Sequence, residues 1–202
     1  LRCSRSAGYA VLQPNYRGSM GYGVQFSSTL YKDFGGPEYK DILAGIDFLI
    51  NKGVVDKERM IIGGWSYGGF LSAWAMTHDQ RFKAAIVGAG PFNWYSDVAV
   101  SDNSVFPTRY LGRDIKDWYR MAPVTYVGNI KTPVLIQQGL NDRRVPSINA
   151  VEFSYALKRL NVPYKTIVYV GQGHHFDSNL SVYQAMNDQI AWVKSHISPY
   201  KP

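Results

Sequence analysis

Two hydrophobic periods alternate along this chain, and the alternation restricts its fold more than any single residue does. Short apolar, β-branched runs at 9–13, 59–63, 84–89, 133–138 and 165–170 read as strands, the last of alternating character. Between them lie longer segments at 41–51, 69–77, 149–160 and 180–197 that read as helices. The first of these has Ile42, Ile46, Leu49 and Ile50 on one stripe and is closed by Gly53. Strand then helix, repeated, predicts a mostly parallel sheet with helices on both faces, an α/β fold. One stretch interrupts the rhythm. Residues 90–131 are rich in Trp, Tyr, Pro and Asp and hold only short helical patterns, such as 115–120. A connection that long inside a compact domain usually carries function.

Composition sets the outer limits. With 202 residues and 46% hydrophobic content the chain supports one well-packed core, and no linker composition divides it, so 1–202 reads as a single domain. No apolar run approaches the roughly 18 residues that cross a bilayer, so no membrane partner is expected. A lone cysteine, Cys3, excludes an intrachain disulfide and thiolate metal sites, and favours a reducing compartment. No signal-peptide pattern stands at the start of the sequence, and a cytoplasmic location is the expectation. The net charge is +7, but Lys and Arg are spread along the chain without a basic block or a nucleic-acid-binding motif, so no nucleic acid is expected as a partner.

Gly64-Trp65-Ser66-Tyr67-Gly68 matches the G-x-S-x-G nucleophile elbow. Chance alone places that pattern in a chain of this size about one time in fifteen, so context must decide. A β-run, Met60-Ile61-Ile62, stands directly before it and a helical stretch directly after, which is the strand-turn-helix setting the elbow requires. A serine on so sharp a turn needs neighbours without Cβ atoms where strand and helix pass closely, and Gly63, Gly64, Gly68 and Gly69 bracket Ser66 doubly. The helix start beyond it offers backbone N–H groups where an oxyanion would form.

A serine hydroxyl is a weak nucleophile until a base takes its proton, and the base needs an orienting acid. In α/β-hydrolases these follow in the order Ser, acid, His, each on a loop after a strand. His78 stands too close behind the elbow to reach back, and His196 on the last helix is expected to face solvent. His174 and His175 sit in a Gly-rich turn just after the strand ending at Val170. Periodicity does not separate them; His174 is preferred as base, with His175 as its neighbour. The loop after the preceding strand supplies one carboxylate, Asp142, whose bland alternative is a cap for the following helix. Asp177 is the rival acid, too near the histidines in sequence to come from another strand end.

The segments Gln13-Pro-Asn-Tyr-Arg-Gly-Ser-Met-Gly-Tyr-Gly23, Gly36-Pro-Glu-Tyr-Lys-Asp41, Gly63-Gly-Trp-Ser-Tyr-Gly-Gly69, Asn141-Asp-Arg-Arg-Val-Pro146 and Gly173-His-His175 resemble the prolyl oligopeptidase family of serine peptidases, especially its acylaminoacyl-peptidase and dipeptidyl-peptidase branches. They span nearly the whole chain in order. The resemblance implies an α/β-hydrolase catalytic domain with Ser66, Asp142 and His174 as its triad, and Tyr67 as an oxyanion donor through its backbone N–H. It implies that Arg144 hydrogen-bonds a substrate carbonyl, with Arg143 an ordinary neighbour. It implies too that Trp94 and, less strongly, Val145 line the acyl pocket. For Trp94 the competing reading is an aromatic that packs only in the core.

Two departures from the family pattern stand out. No N-terminal β-propeller is present, nor the strand and His-Gly-Gly-Pro-like loop that precede the 9–13 strand in the family and give a second oxyanion donor. The expectation is therefore the C-terminal portion of a longer protein, with an N-terminal segment or chain of the same protein as partner and an oligomer left open. The activity expected is peptide-bond cleavage near the N-terminus through an acyl-enzyme, with a peptide or small acyl substrate and no metal or organic cofactor. A carboxylesterase is the alternative, and a non-catalytic remnant of the fold a third reading.

Overall fold

The computed structural model describes residues 8–197; Cys3 lies outside the described residues. In chain order the regular elements are α1 (Val24–Ser27), α2 (Pro37–Asn51), β1 (Ile61–Trp65), α3 (Tyr67–His78), β2 (Ala84–Gly88), α4 (Trp94–Val100), α5 (Val105–Leu111), α6 (Ile115–Arg120), β3 (Val134–Gly139), α7 (Ile148–Arg159), β4 (Tyr164–Tyr169) and α8 (Asn179–His196). Their starts follow local chemistry. Pro37 opens α2, while Asn93, Asp114 and Ser178 cap α4, α6 and α8 by accepting backbone N–H bonds.

The four strands form one parallel sheet in the order β1-β2-β3-β4, with Gly64 opposite Val87, Val87 opposite Ile136 and Ile136 opposite Thr166. On one face Val134 and Ile136 pack with Ala150, Phe153 and Leu157 of α7 and with Ala73 and Met76 of α3. On the other, Gln137 donates to the Ala185 carbonyl of α8 and accepts from Gln189. Helix α3 is buried from Gly69 to Thr77 and shows no polar face, because sheet and helices surround it. Phe70, Met76 and Phe153 are fully buried, each contributing about 1.5–3 kcal/mol. A second aromatic core gathers Phe34, Phe70, Trp74 and Trp94.

The predicted strand at 9–13 is not a strand; among the described residues those positions carry no regular structure. A strand is a lateral contact, and the outer edge of β1 has no paired strand among the described residues. The segment that follows is held instead by Arg17, whose backbone N–H, Nε and Nη2 all bond the Asp41 carboxylate of α2 at 2.7–3.0 Å. No helix among the described residues is long and apolar enough to cross a membrane.

Candidate active site

The C-terminal ends of β1, β3 and β4 deliver three side chains to one place. Ser66 caps α3 with φ +59° and ψ −121°, a strained conformation for a residue with a Cβ. It is fixed on both sides: its N–H donates to the Gly88 carbonyl at 2.8 Å and its own carbonyl accepts from Phe70 at 3.0 Å. The steric demand for glycine falls at two positions. A Cβ on Gly64 would meet the Gly68 carbonyl at 2.5 Å, and one on Gly69 would meet the Gly88 carbonyl at 2.5 Å. Gly68 itself faces open space, so the expectation that it too must lack a Cβ is corrected: Gly68 supplies the backbone that Gly64 must clear.

His174 Nε2 lies 2.9 Å from Ser66 Oγ, and its Nδ1 lies 2.8 Å from Asp142 Oδ2. Asp142 is buried and accepts four hydrogen bonds. Its Oδ1 takes the backbone N–H groups of Arg144 and Val145, each at 2.9 Å, while its Oδ2 takes Gln138 Nε2 at 3.1 Å and His174. An acceptor so fully engaged places the imidazole proton on Nδ1, which leaves Nε2 to accept from the serine hydroxyl. The loop that carries His174 is pinned from the elbow side, since Trp65 Nε1 donates to the His174 carbonyl at 2.9 Å. It is pinned from below by Gly139 at the end of β3, where a Cβ would meet the Gln172 carbonyl at 2.6 Å.

The other histidines and the rival acid stay away. His175 is exposed, 5.3 Å from His174 ring to ring, and Asp177 is exposed with its N–H bonded to Gln172. His78 stacks on Trp74 at 4.1 Å. His196 was expected to face solvent and instead is half-buried, its Nδ1 2.8 Å from the Trp192 carbonyl, because the amphipathic stripe of α8 turns that ring onto the preceding turn.

The residues expected at the substrate are arranged differently. Trp94 is 3% exposed, packs 5.2 Å from both Phe34 and Phe70, and gives its indole N–H to the Met121 carbonyl, so it is a core aromatic here and not an open wall. Val145 is buried and serves through its backbone, its N–H on Asp142 and its carbonyl on Gln138. Arg144 is half-exposed, with Nε on Asp102 Oδ1 at 2.7 Å. Ser101 and Asp102, just after α4, also bond the Arg144 and Arg143 carbonyls, which ties α4 to the acid loop.

Three contributors escaped the sequence reading. Gln138 had one signal, a polar residue closing the apolar run Val134-Leu135-Ile136. Trp65 had none beyond its place in the motif. Asp97 on α4 is 3% exposed and takes one side-chain bond, from Asn149 Nδ2 at 3.2 Å. Burial pushes its carboxyl up to about 7; the Asn149 bond and His174 oppose the rise and the Asp142 carboxylate adds to it.

A serine elbow on a parallel sheet, with an acid and a histidine on loops after later strands, defines an α/β-hydrolase. Residues 1–199 match the prolyl oligopeptidase family, and the chain belongs to that family. It is 34% identical over 199 residues to the uncharacterized peptidase YuxL of Bacillus subtilis, covering 94% of this chain and 30% of that protein. It is 29% identical to the acylamino-acid-releasing enzyme of Arabidopsis thaliana, covering 95% of this chain and 27% of that enzyme. The acylaminoacyl peptidase of Pyrococcus horikoshii superposes with a TM-score of 0.88 at 28% identity, over 93% of this chain and 32% of that one. The chain thus spans about 30% of the length of the relatives it matches.

Proposed function

We propose that this chain carries the catalytic residues of a serine peptidase that releases residues from the N-terminal end of peptides through an acyl-enzyme. Support comes above all from the unbroken relay Ser66 Oγ, His174 Nε2, His174 Nδ1, Asp142 Oδ2, with both links under 3 Å and the serine held on a strained turn. In this reading Ser66 attacks the scissile carbonyl while His174 takes its proton. The imidazolium that forms is stabilised by Asp142 and then protonates the leaving amine; water repeats the sequence to free the acyl group. The Tyr67 backbone N–H, at the start of α3, faces the developing oxyanion. With Nε of Arg144 engaged by Asp102, its two Nη groups are left for a substrate carbonyl. The acylaminoacyl and acylamino-acid-releasing relatives suggest blocked or short N-terminal segments as substrates.

The test is labelling of the full-length protein with a fluorophosphonate probe, wild type beside Ser66→Ala, followed by turnover of acyl-aminoacyl anilides and p-nitrophenyl esters. Labelling lost in Ser66→Ala together with anilide cleavage supports a peptidase. Turnover confined to the esters replaces it with an esterase. Labelling that persists in Ser66→Ala refutes the nucleophile.

A further inference from the structure

An acidic residue in the first turn of a helix ordinarily faces water, where it complements the helix dipole. Glu38, in the first turn of α2, does the reverse. It is fully buried and its Oε1 accepts two hydrogen bonds, from the Gly35 N–H at 2.6 Å and from the Tyr67 phenol at 2.7 Å. Its Oε2 is buried with no hydrogen-bond partner among the described residues. No cation bonds it among them either, and burying a carboxylate without one is costly. Burial raises the Glu38 carboxyl above its ordinary range, against the opposing bonds from Gly35 and Tyr67. Burial followed by the Glu38 charge keeps the Tyr67 phenol protonated far into alkali.

The partner is what gives this contact a role. Tyr67 is the residue after the nucleophile, and its ring runs away from Ser66 into the aromatic core, edge-on to Phe34 at 5.2 Å and 5.0 Å from Phe70. The phenol at its far end is anchored on Glu38, 29 residues earlier in the chain. A residue fastened at both its backbone and its side-chain tip cannot rotate its peptide plane freely. From this geometry we infer that Glu38 is a positioning residue: by holding the Tyr67 phenol it sets the aim of the Tyr67 backbone N–H at the oxyanion. The inference rests on the reading of Ser66 as nucleophile. It makes a distinctive demand on kinetics, because the oxyanion exists only in the transition state, so mispositioning the donor lowers kcat and leaves KM nearly unchanged.

The experiment uses the full-length protein and p-nitrophenyl ester kinetics on Glu38→Ala, Glu38→Gln, Tyr67→Phe and the Glu38→Ala/Tyr67→Phe double variant, each checked for folding by circular dichroism. Complete loss of an oxyanion donor costs about 100- to 1000-fold, so a donor left in place but badly aimed should cost roughly 10- to 100-fold in kcat. That loss is expected for Glu38→Ala and Tyr67→Phe, with KM within about twofold and the double variant no worse than the worse single one. Glu38→Gln keeps a neutral acceptor for the phenol and restores kcat to within about threefold of wild type. Wild-type kcat in folded Glu38→Ala, a loss expressed in KM, or a double variant showing the product of the single losses would each overturn the inference. Should Glu38→Ala not fold, Tyr67→Phe decides alone, since wild-type kcat there removes the anchor from the mechanism. Ser66→Ala run in parallel separates the two levels: if it stays active the nucleophile reading falls, and if it is dead while the Glu38 and Tyr67 variants are not, only the positioning role falls.

Discussion

Replacing Gly139 by alanine tests how the acid and base loops are registered. Gly139 ends β3, and the loop carrying His174 crosses over it, so that an added Cβ would run first into the Gly173 carbonyl oxygen and stand 2.6 Å from the Gln172 carbonyl oxygen. Its φ is not positive, and alanine therefore meets no backbone penalty; the perturbation is steric alone. A relaxed carbon-to-oxygen contact needs about 3.3 Å, so clearing both carbonyls requires the two loops to part by about 1 Å. They are also tied beside that point, by Asn141 N–H to the Gln172 carbonyl at 2.9 Å and Leu140 N–H to the Tyr169 carbonyl at 3.0 Å, so the strain cannot vanish into one flexible side chain. A displacement of that size at His174 lengthens links that now measure 2.8 and 2.9 Å. A misplacement of 1 Å costs about 100-fold, so a loss of about 10- to 100-fold in kcat is expected. That range corresponds to about 1.4–2.7 kcal/mol of transition-state stabilisation. Overpacking adds about 1–3 kcal/mol of destabilisation, readable in urea unfolding. The assay is single-turnover labelling with a fluorophosphonate beside steady-state ester hydrolysis. Wild-type labelling and turnover in Gly139→Ala would show that the triad is not registered through the end of β3.

Two further substitutions probe the buried polar groups. Asp97 is an acid whose folded pKa, about 7, lies above its unfolded value, so the native state holds the proton longer and stability falls as pH rises between about 4 and 7. Asp97→Asn removes that dependence, and its stability advantage over wild type should grow by roughly 2–3 kcal/mol between pH 5 and pH 8 in urea unfolding; parallel curves for the two proteins would refute the assignment. Gln138→Leu takes one of the four donors from buried Asp142 and the partner from the Val145 carbonyl. It should cost about 1.5–3 kcal/mol in stability and lower kcat about tenfold, and an unchanged kcat would mean that the remaining donors hold Asp142 by themselves.

What the sequence made readable was whatever depends on local pattern. The elbow, with strand before and helix after, and the loops carrying Asp142 and His174 follow from short windows, and the helix at 115–120 is where its spacing puts it. What stayed hidden depends on partners far along the chain. The 9–13 segment has a strand's composition but no paired edge among the described residues. Trp94 could be read as wall or core, and only the convergence of Phe34 and Phe70 from two other segments makes it core. Glu38 and Asp97 look in sequence like ordinary surface carboxylates near a helix start. Their burial is decided by Tyr67 and Asn149, 29 and 52 residues away, and no periodicity encodes that.

Ser66 and His174 are 108 residues apart in the chain, and two strands lie between theirs in the sheet. The turn that carries Ser66 joins β1 to α3 and is fastened to the neighbouring strand through the Gly88 carbonyl. His174 reaches it only when β2 and β3 are seated, because its loop rests on the end of β3 and is tethered by Trp65. Closing so long a loop is repaid only by the assembled sheet. The proposed proton relay therefore exists only in the assembled sheet. Before that assembly Ser66 carries a hydroxyl with no imidazole beside it.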